Sequence, residues 1–513
     1  MEDADQRLRH AINLIIKAGY QLNAGALTYL KTAAQSGEIE SFVNKAITAL
    51  AKSPEKPLFL TREHLESGAV KKPSVAENKA QEVAESVGPA FKPYAKEVVG
   101  KVEVLDDPTS RVGSEGKIEE YLNHFKDRFK KIERIMRERS DVKDAVSIGN
   151  AREAPLNSKI KTIGLVTEKR ERKRTVFVQI EDYESNLTVI VPSTSSREVF
   201  EKTKRIFIDQ VVCVEATKVK DDLFIAKDFI SPDIPERRLN TASEQVYAAF
   251  LSDIHVGSKK FLEEDFTRFL GWLKGSEGNS HQREVASRIK YLVIAGDIVD
   301  GIGIYPNQEK ELAVTDIYEQ YNIASKFIQE IPEYIEVIII PGNHDATRQA
   351  LPQPAIFRKY AESIYNLKNV KMLGDPARVR LHGVDVLVFH GTSLDDIVGA
   401  APDVTYLNLG KEINTAMRYL LKTRHLAPIY GAKTPIAPTP VDDLVINPPP
   451  DILHTGHVHV MGYEVYRGTL MINSSTWQGQ TDFQEKMGLT PMPGIVPIVD
   501  LKSLKVMPIN FLS

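Results

Sequence analysis

The sequence predicts a mixed α/β protein, with a helical module at the N-terminus and a small β-barrel ahead of a larger α/β domain. Three observations carry this reading. Apolar residues at helical spacing open the chain, short strand-like runs crowd residues 157–238, and from residue 239 onward β-rich runs alternate with helical ones. At 513 residues the chain is too long for one ordinary core, and a prior of about 150 residues per domain gives roughly three domains.

The elements follow in order. In residues 1–52, Leu8, Ile12, Ile15, Ile16, Leu27 and Leu30 recur at spacings of three and four, as in a small bundle of amphipathic helices. Residues 53–114 are rich in Lys, Glu, Pro, Ala and Ser, as in Lys71-Lys-Pro-Ser74 and Asp106-Asp-Pro108, and read as a flexible tether. Residues 115–156 hold a charged helix, Ile118 to Arg139, and a connector; Tyr121, Phe125, Phe129, Ile132 and Ile135 give the helix an apolar face for a neighbouring domain or partner. Within 157–238, five strands are expected at Ile160–Val166, Thr175–Ile180, Leu187–Val191, Val211–Ala216 and Leu223–Phe229, for which an OB-fold barrel is the first candidate. The loop between the first two strands, Glu168-Lys-Arg-Glu-Arg-Lys-Arg174, suits either a nucleic-acid face or a solvated hairpin tip, with Phe177 and Tyr183 the only obvious stacking aromatics. The Pro-rich segment from Pro435 to Pro450 is expected to be an ordered loop over the sheet edge, because Pro suits neither a helix nor an interior strand.

Composition excludes several classes. With 42% hydrophobic and 26% charged residues and no apolar run of membrane-spanning length, a transmembrane anchor is not expected. The start, Met-Glu-Asp-Ala-Asp, lacks the features of a secretory signal, so a cytoplasmic location is expected. A single cysteine, Cys213, rules out an internal disulfide and reads as a buried strand residue. A net charge of −3 places any nucleic-acid affinity in local basic patches such as Lys259-Lys260.

The chemistry lies in the α/β domain. Five strand-like runs end in metal-ligating residue types: Asp253 and His255, Asp297, Asn343-His344-Asp345, His390, and His457 and His459. Open α/β sheets bind ligands at the carboxyl ends of their strands, so residues two hundred positions apart can converge. Mixed oxygen and imidazole donors without cysteine suit manganese, iron or zinc better than calcium or a structural zinc. Two such ions about 3.5–4 Å apart need a bridging carboxylate, and Asp297 is the expected bridge. In Asp253-x-His255 and His457-x-His459, alternate residues point the same way if the strand stays regular, with Gly257 and Gly456 available for bends and Gly296 and Gly342 for tight turns. A lone strand-end histidine is more often a packed residue than a ligand. Accordingly His10, His64, His124, His281, His382 and His425 read as surface or packing residues, and His454 as structural.

The ordered set Asp-x-His, Gly-Asp, Gly-Asn-His-Asp, His and Gly-His-x-His resembles the calcineurin-like metallophosphoesterase superfamily. The resemblance implies a two-layered β-sandwich flanked by helices over residues 239–513, holding two divalent ions, manganese first, with iron or zinc as alternatives. It assigns Asp253, His255, Asp297 and His459 to one ion and Asp297, Asn343, His390 and His457 to the other. His344 would contact the scissile phosphate and stabilise or protonate the leaving oxygen, with Asp345 supporting it. A barrel ahead of this domain, after helices and a tether, is further similar to the small subunits of archaeal D-family DNA polymerases, as are Gly391-Thr-Ser-Leu-Asp-Asp-Ile-Val398 and Asn447-Pro-Pro-Pro-Asp-Ile-Leu-His-Thr-Gly-His457. That resemblance implies a proofreading 3′ to 5′ exonuclease acting on single-stranded or mismatched DNA ends, paired with a large polymerase subunit, with a sliding clamp as a further candidate partner. A phosphoprotein or nucleotide phosphoesterase and a non-catalytic scaffold remain the alternatives. The accessory subunits of eukaryotic replicative polymerases share the two-domain arrangement but have lost metal ligands, whereas every ligand position is filled here.

Overall fold

The computed structural model describes residues 91–512 and, ahead of them, 4–18, 21–22, 26, 29–31, 39–51 and 59–60. The chain divides into two compact units, residues 1–97 with 267–289, and residues 98–266 with 290–512. Among the described residues no helix is long and apolar enough to cross a membrane.

In the first unit, helices α1 (Ala4–Lys17) and α2 (Ile39–Ala51) accompany a short parallel pair, β1 (Gln21–Leu22) and β2 (Phe59–Leu60). Ala11, Ile15, Leu30, Ile39, Val43 and Ala46 form its buried cluster, with Leu8 packed against it. Leu27 and His64 lie outside the described residues. Helix Ser280–Ser287 opens with a reciprocal cap between Asn279 and Gln282.

The second unit corrects the tether. Its residues Val102–Asp106 form strand β3, which pairs antiparallel with Ala377–Leu381, so the C-terminal part of the 53–114 stretch belongs to a sheet. The run Val-Glu-Val-Leu is short enough to be lost among its charged neighbours, and only the partner strand completes its hydrogen bonds. Helix α3 (Ile118–Arg137) follows, and Phe129, Ile132 and Met136 pack on Ile163, Leu165, Val211 and Cys213. The apolar face thus covers the barrel, and Cys213 is a buried strand residue.

The barrel contains the five expected strands: β4 (Lys159–Arg172), β5 (Thr175–Glu181), β6 (Asn186–Val191), then helix α4 (Arg197–Lys204), β7 (Val211–Lys220) and β8 (Leu223–Ile230). It closes in the order β4-β5-β6-β8-β7. The basic segment is not a loop: Glu168 to Arg172 pair with β5, and the turn is only Lys173 and Arg174, at φ of 49° and 62°. Two left-handed residues give the turn the twist of the flanking strands, but without Asn or Gly nothing in the sequence marks it.

The α/β half then runs β9 (Tyr247–Leu251), β10 (Ile289–Ala295), α5 (Ile317–Gln329), β11 (Glu336–Ile340), β12 (Val370–Met372), β13 (Ala377–Leu381), β14 (Val384–Val388), α6 (Leu394–Ala400), α7 (Leu409–Thr423), β15 (Ile452–Thr455), β16 (Gly462–Tyr466), β17 (Thr469–Asn473), α8 (Asp482–Met487), β18 (Ile495–Asp500) and β19 (Lys505–Asn510). These strands form two six-stranded sheets, β12-β11-β10-β9-β18-β19 and β16-β17-β15-β14-β13-β3. Alternate residues of both sheets share one core: Phe250, Val293 and Ile338 from the first meet Val386, Val388, Ile452 and Ile472 from the second. Leu387, Leu453 and Met471, one residue out of phase, pack instead against Ile413, Met417 and Leu420 of α7. The period of two assigns each side chain to a layer.

The Pro-rich segment is irregular and binds α3 through a buried charge. The Asp442 carboxylate accepts from Arg128 Nε (2.7 Å) and contacts His425 Nε2 (2.8 Å), and its backbone N–H donates to Asp127 (2.8 Å). His124 contacts the Thr439 carbonyl (3.0 Å), so His124 and His425 are packed within a polar network, as His382 is beside Tyr291. His10 and His281 are exposed. Burial and the Arg128 charge push His425 down to about 4. Asp442→Ala would leave Arg128 buried without its carboxylate, and a loss of about 3–5 kcal/mol is expected in chemical denaturation. Because the folded His425 titrates below its unfolded value, its contribution is complete above about pH 6.5 and is lost as pH falls toward 4. Denaturation midpoints measured across that window should fall with pH, and less steeply in His425→Gln.

Candidate metal centre

Every expected ligand lies just past the end of a strand rather than in it. Asp253 and His255 follow β9, Asp297 follows β10, Asn343 follows β11, His390 follows β14, and His457 and His459 follow β15. Asp253, His255, Asp297, His457 and His459 are all left-handed, at φ of 53°, 55°, 52°, 71° and 57°. The regular alternation expected for the two x-spaced pairs is therefore replaced by a bend in the ligands themselves. Each such non-glycine residue costs about 1–3 kcal/mol and persists only where the surroundings hold it. Here backbone bonds do so: Asp253 N–H donates to Gly296 O (3.0 Å), and Ile254 and His255 N–H donate to Asp297 O (2.8 and 3.0 Å). Gly456 supplies room rather than a bend, since a Cβ there would strike Ser252 Oγ and lie 2.6 Å from Asp253 Oδ2. A Cβ at Gly342 would strike Asp297 Oδ1.

Among the described residues the candidate ligand atoms gather into three groups: Asp253, His255 and His459 form one, Asp297, His390 and His457 another, and His255, Asp297 and His344 a third that overlaps both. Asp253 Oδ1 lies 3.3 Å from His459 Nε2, and the His255 and His459 Nε2 atoms are 3.1 Å apart. Asp297 Oδ2 stands between the groups, 3.2 Å from His390 Nε2 and 3.9 Å from His255 Nε2. Asn343 Oδ1 is 3.0 Å from His390 Nε2. His454 turns away, with Nε2 2.9 Å from Ser474 Oγ in a buried environment.

Outer partners orient these groups. His255 Nδ1 lies 3.0 Å from Asp300 Oδ1, and His390 Nδ1 lies 2.7 Å from the Ala295 carbonyl, so each ring donates from Nδ1 and presents Nε2 inward. Gln484 Nε2 is 2.7 Å from His459 Nδ1, and Asp395 Oδ2 is 3.4 Å from His457 Nε2. Asp297 Oδ1 accepts the His344 backbone N–H (2.8 Å). His344 Nδ1 donates to the Asp300 carbonyl (2.7 Å), which leaves Nε2 to face the cavity. The expected support from Asp345 is indirect: its carboxylate accepts from Gly342 N–H (2.9 Å) and the Tyr321 hydroxyl (2.9 Å), fixing the turn beneath Asn343 and His344. Sequence reasoning does not pick out Asp300, Asp395, Gln484 or Tyr321 as members of the site. Asp300 carries a signal, standing three residues after Asp297, and Asp395 falls within the Gly391–Val398 segment; Gln484 and Tyr321 carry none.

The electrostatics favour a cation. Asp253 Oδ1 is buried and has no hydrogen-bond partner among the described residues. Burial works to raise Asp297, but the surrounding His390, His344 and His255 imidazoles hold it well below the usual carboxylate range. Burial would lower His390, but Asp297 and Asp253 outweigh it and push the imidazole up to about 10. Apart from one backbone N–H each, from His457 to Asp253 and from His344 to Asp297, the two buried carboxylates thus face imidazoles, a donor set that fits divalent ions. The site opens into a cavity of about 480 Å³ lined also by Tyr305, Tyr406, Lys433 and Phe483.

The chain is similar in sequence to known proteins. Residues 248–460 match the profile of the B-subunit family of DNA polymerases alpha and epsilon. The DNA polymerase II small subunit of Archaeoglobus fulgidus is 42% identical over 397 residues, 77% of this chain and 78% of that protein. The chain belongs to the family of DNA polymerase II small subunits. The namesake from Pyrococcus furiosus is also 42% identical over 77% of this chain, and that from Methanothermobacter thermautotrophicus is 38% identical over 79%. The chain spans 64% of the length of the Pyrococcus furiosus small subunit. If the centre holds divalent ions, Asp300→Ala should lower its affinity for such an ion, titrated with manganese as the probe, about 10–100-fold in calorimetry while circular dichroism stays unchanged, because the ring of His255 loses its orienting carboxylate.

Proposed function

We propose that this small subunit is a 3′ to 5′ exonuclease that removes single-stranded or mismatched DNA ends for a replicative polymerase, partnered by a large polymerase subunit. The observation that carries the reading is Asp297 Oδ2, set between two imidazole and carboxylate groups, with His344 on the wall of the same cavity. Two facing sheets with ligands at their strand ends support the layering of a metallophosphoesterase, and the closed barrel supports an OB-fold. Asp253, His255, Asp297 and His459 would hold one divalent ion, and Asp297, Asn343, His390 and His457 the other, manganese being the first candidate. When bound, such ions supply charge stabilisation at the phosphoryl group and activate the attacking water.

The residues of the chain do the rest. Asp300 and Ala295 keep the Nδ1 protons of His255 and His390 turned outward. His344, held by the Asp300 carbonyl, places Nε2 where a proton on it meets the departing oxygen of the phosphodiester. The Asp345 carboxylate and the Tyr321 hydroxyl keep the Asn343-His344 turn rigid. Lys433, at the cavity wall, serves as a phosphate contact for DNA of any sequence, since charge and not base identity recognises the backbone. A sliding clamp is a further partner to be tested by co-elution.

The test is trimming of a labelled single-stranded DNA from its 3′ end in manganese by wild type, His344→Ala and Asp297→Ala. Both variants should lose at least about 100-fold in rate with the fold intact, the size expected for a general acid and for a bridging ligand. Cleavage of a phosphopeptide but not of DNA would reassign the site to a phosphoprotein phosphatase. No hydrolysis of either, alone or with the large subunit, would leave a scaffold.

A further inference from the structure

One side of the cavity is aromatic, and neither the metal ligands nor His344 requires it to be. The His344 ring stands 4.7 Å from that of His255 and 6.3 Å from that of Tyr305, and Tyr305 stacks on Phe483 at 5.6 Å with an interplanar angle of 25°. The row runs from the group placed against the phosphate outward to Phe483, which is 51% exposed. Met487, one helical turn on from Phe483 in α8, is 37% exposed and lines the same cavity. Large apolar side chains left in water beside a polar cluster need a reason. The platform is also tied to the centre, because Gln484, the neighbour of Phe483, holds His459.

We propose that Phe483, backed by Tyr305, is a stacking platform for an unpaired nucleobase at the 3′ end, and that it sets the preference of the site for unpaired ends. The inference rests on the nuclease reading above and adds its specificity residue. Tyr305 and Phe483 already touch, so a base cannot enter between them and stacks on the outer face of Phe483. A base held in a duplex has its faces covered by its neighbours, whereas a frayed or mismatched terminal base has a face to offer. Stacking is indifferent to base identity, which suits an enzyme that must accept any terminal nucleotide. In the lining of the same cavity, Lys433 lies over the Tyr406 ring and bonds its hydroxyl (3.1 Å), so a cation and a second aromatic group are available to the strand.

Two readouts separate this platform from the nuclease reading. The first is binding of single-stranded DNA carrying 2-aminopurine at the 3′ terminus, whose fluorescence is quenched on stacking whether or not the strand is cut. Wild type should quench it, Phe483→Ala should not, and Phe483→Trp should restore the quench. The second is the ratio of kcat/KM for a natural over an abasic 3′ end, expected to fall about tenfold in Phe483→Ala, the size of one lost base stack. Calorimetry with manganese checks that the variants keep the metal centre. Hydrolysis with no difference between wild type and Phe483→Ala in either readout overturns the platform and leaves the nuclease standing. Quenching that depends on Phe483 without any hydrolysis supports the platform and sinks the nuclease. Neither quenching nor hydrolysis overturns both.

Discussion

The arrangement of the α/β half depends on keeping the carboxylates of Asp253 and Asp297 ionised away from bulk water. Both are buried, and burial alone would favour their protonated forms. The structure answers with imidazoles placed 3.2–3.9 Å away, and those imidazoles are held in turn by Asp300, the Ala295 carbonyl and Gln484. Much else follows from packing so many polar groups at one point. Glycine is required at 342 and 456 because a Cβ would strike a carboxylate oxygen, and five candidate ligands adopt left-handed backbone.

Such strain needs a rigid frame. The five strands that lead into the site are buried along nearly their whole length and supply it, since every candidate ligand leaves a strand end within a residue or a few of the core. A further buried carboxylate makes a useful contrast. Asp442 is as deeply buried as Asp297 and is also held well below its usual range, but it has the Arg128 guanidinium against it. Its charge is met within the chain, and its role is to fasten the Pro-rich segment to α3. The carboxylates of Asp253 and Asp297 are faced by imidazoles instead, and this is what separates a structural ion pair from a centre suited to an outside cation.

The surroundings of the centre divide its labour. Polar groups orient the candidate ligands, and a row of aromatic groups runs outward from His344 through Tyr305 to the exposed Phe483. A phosphodiester in a nucleic acid presents the same division, with an anionic link that calls for cations and a base that calls for an apolar face. The barrel and α3 form a separate packed body within the same unit, joined to the α/β half through the Asp442 network and through Phe207 against Tyr419.

The candidate ligand set was legible before any fold was known, because the residue types that suit divalent ions are few and their order along five strand-like runs can be read directly. The five barrel strands and the apolar face of α3 were legible too, since period-two and helical spacings are local properties. Everything that depends on a distant partner had to wait for the folded chain. Strand β3 is stable only against β13, and the basic segment is a hairpin because β5 pairs with it. His124 and His425 belong to a polar network because the Pro-rich segment delivers Asp442 to them. The left-handed turns at Asp253, His255, Asp297, His457 and His459 escape any reading of local pattern, because no glycine stands at these positions to announce them. They are imposed by the convergence of strand ends, and convergence is a property of the sheets.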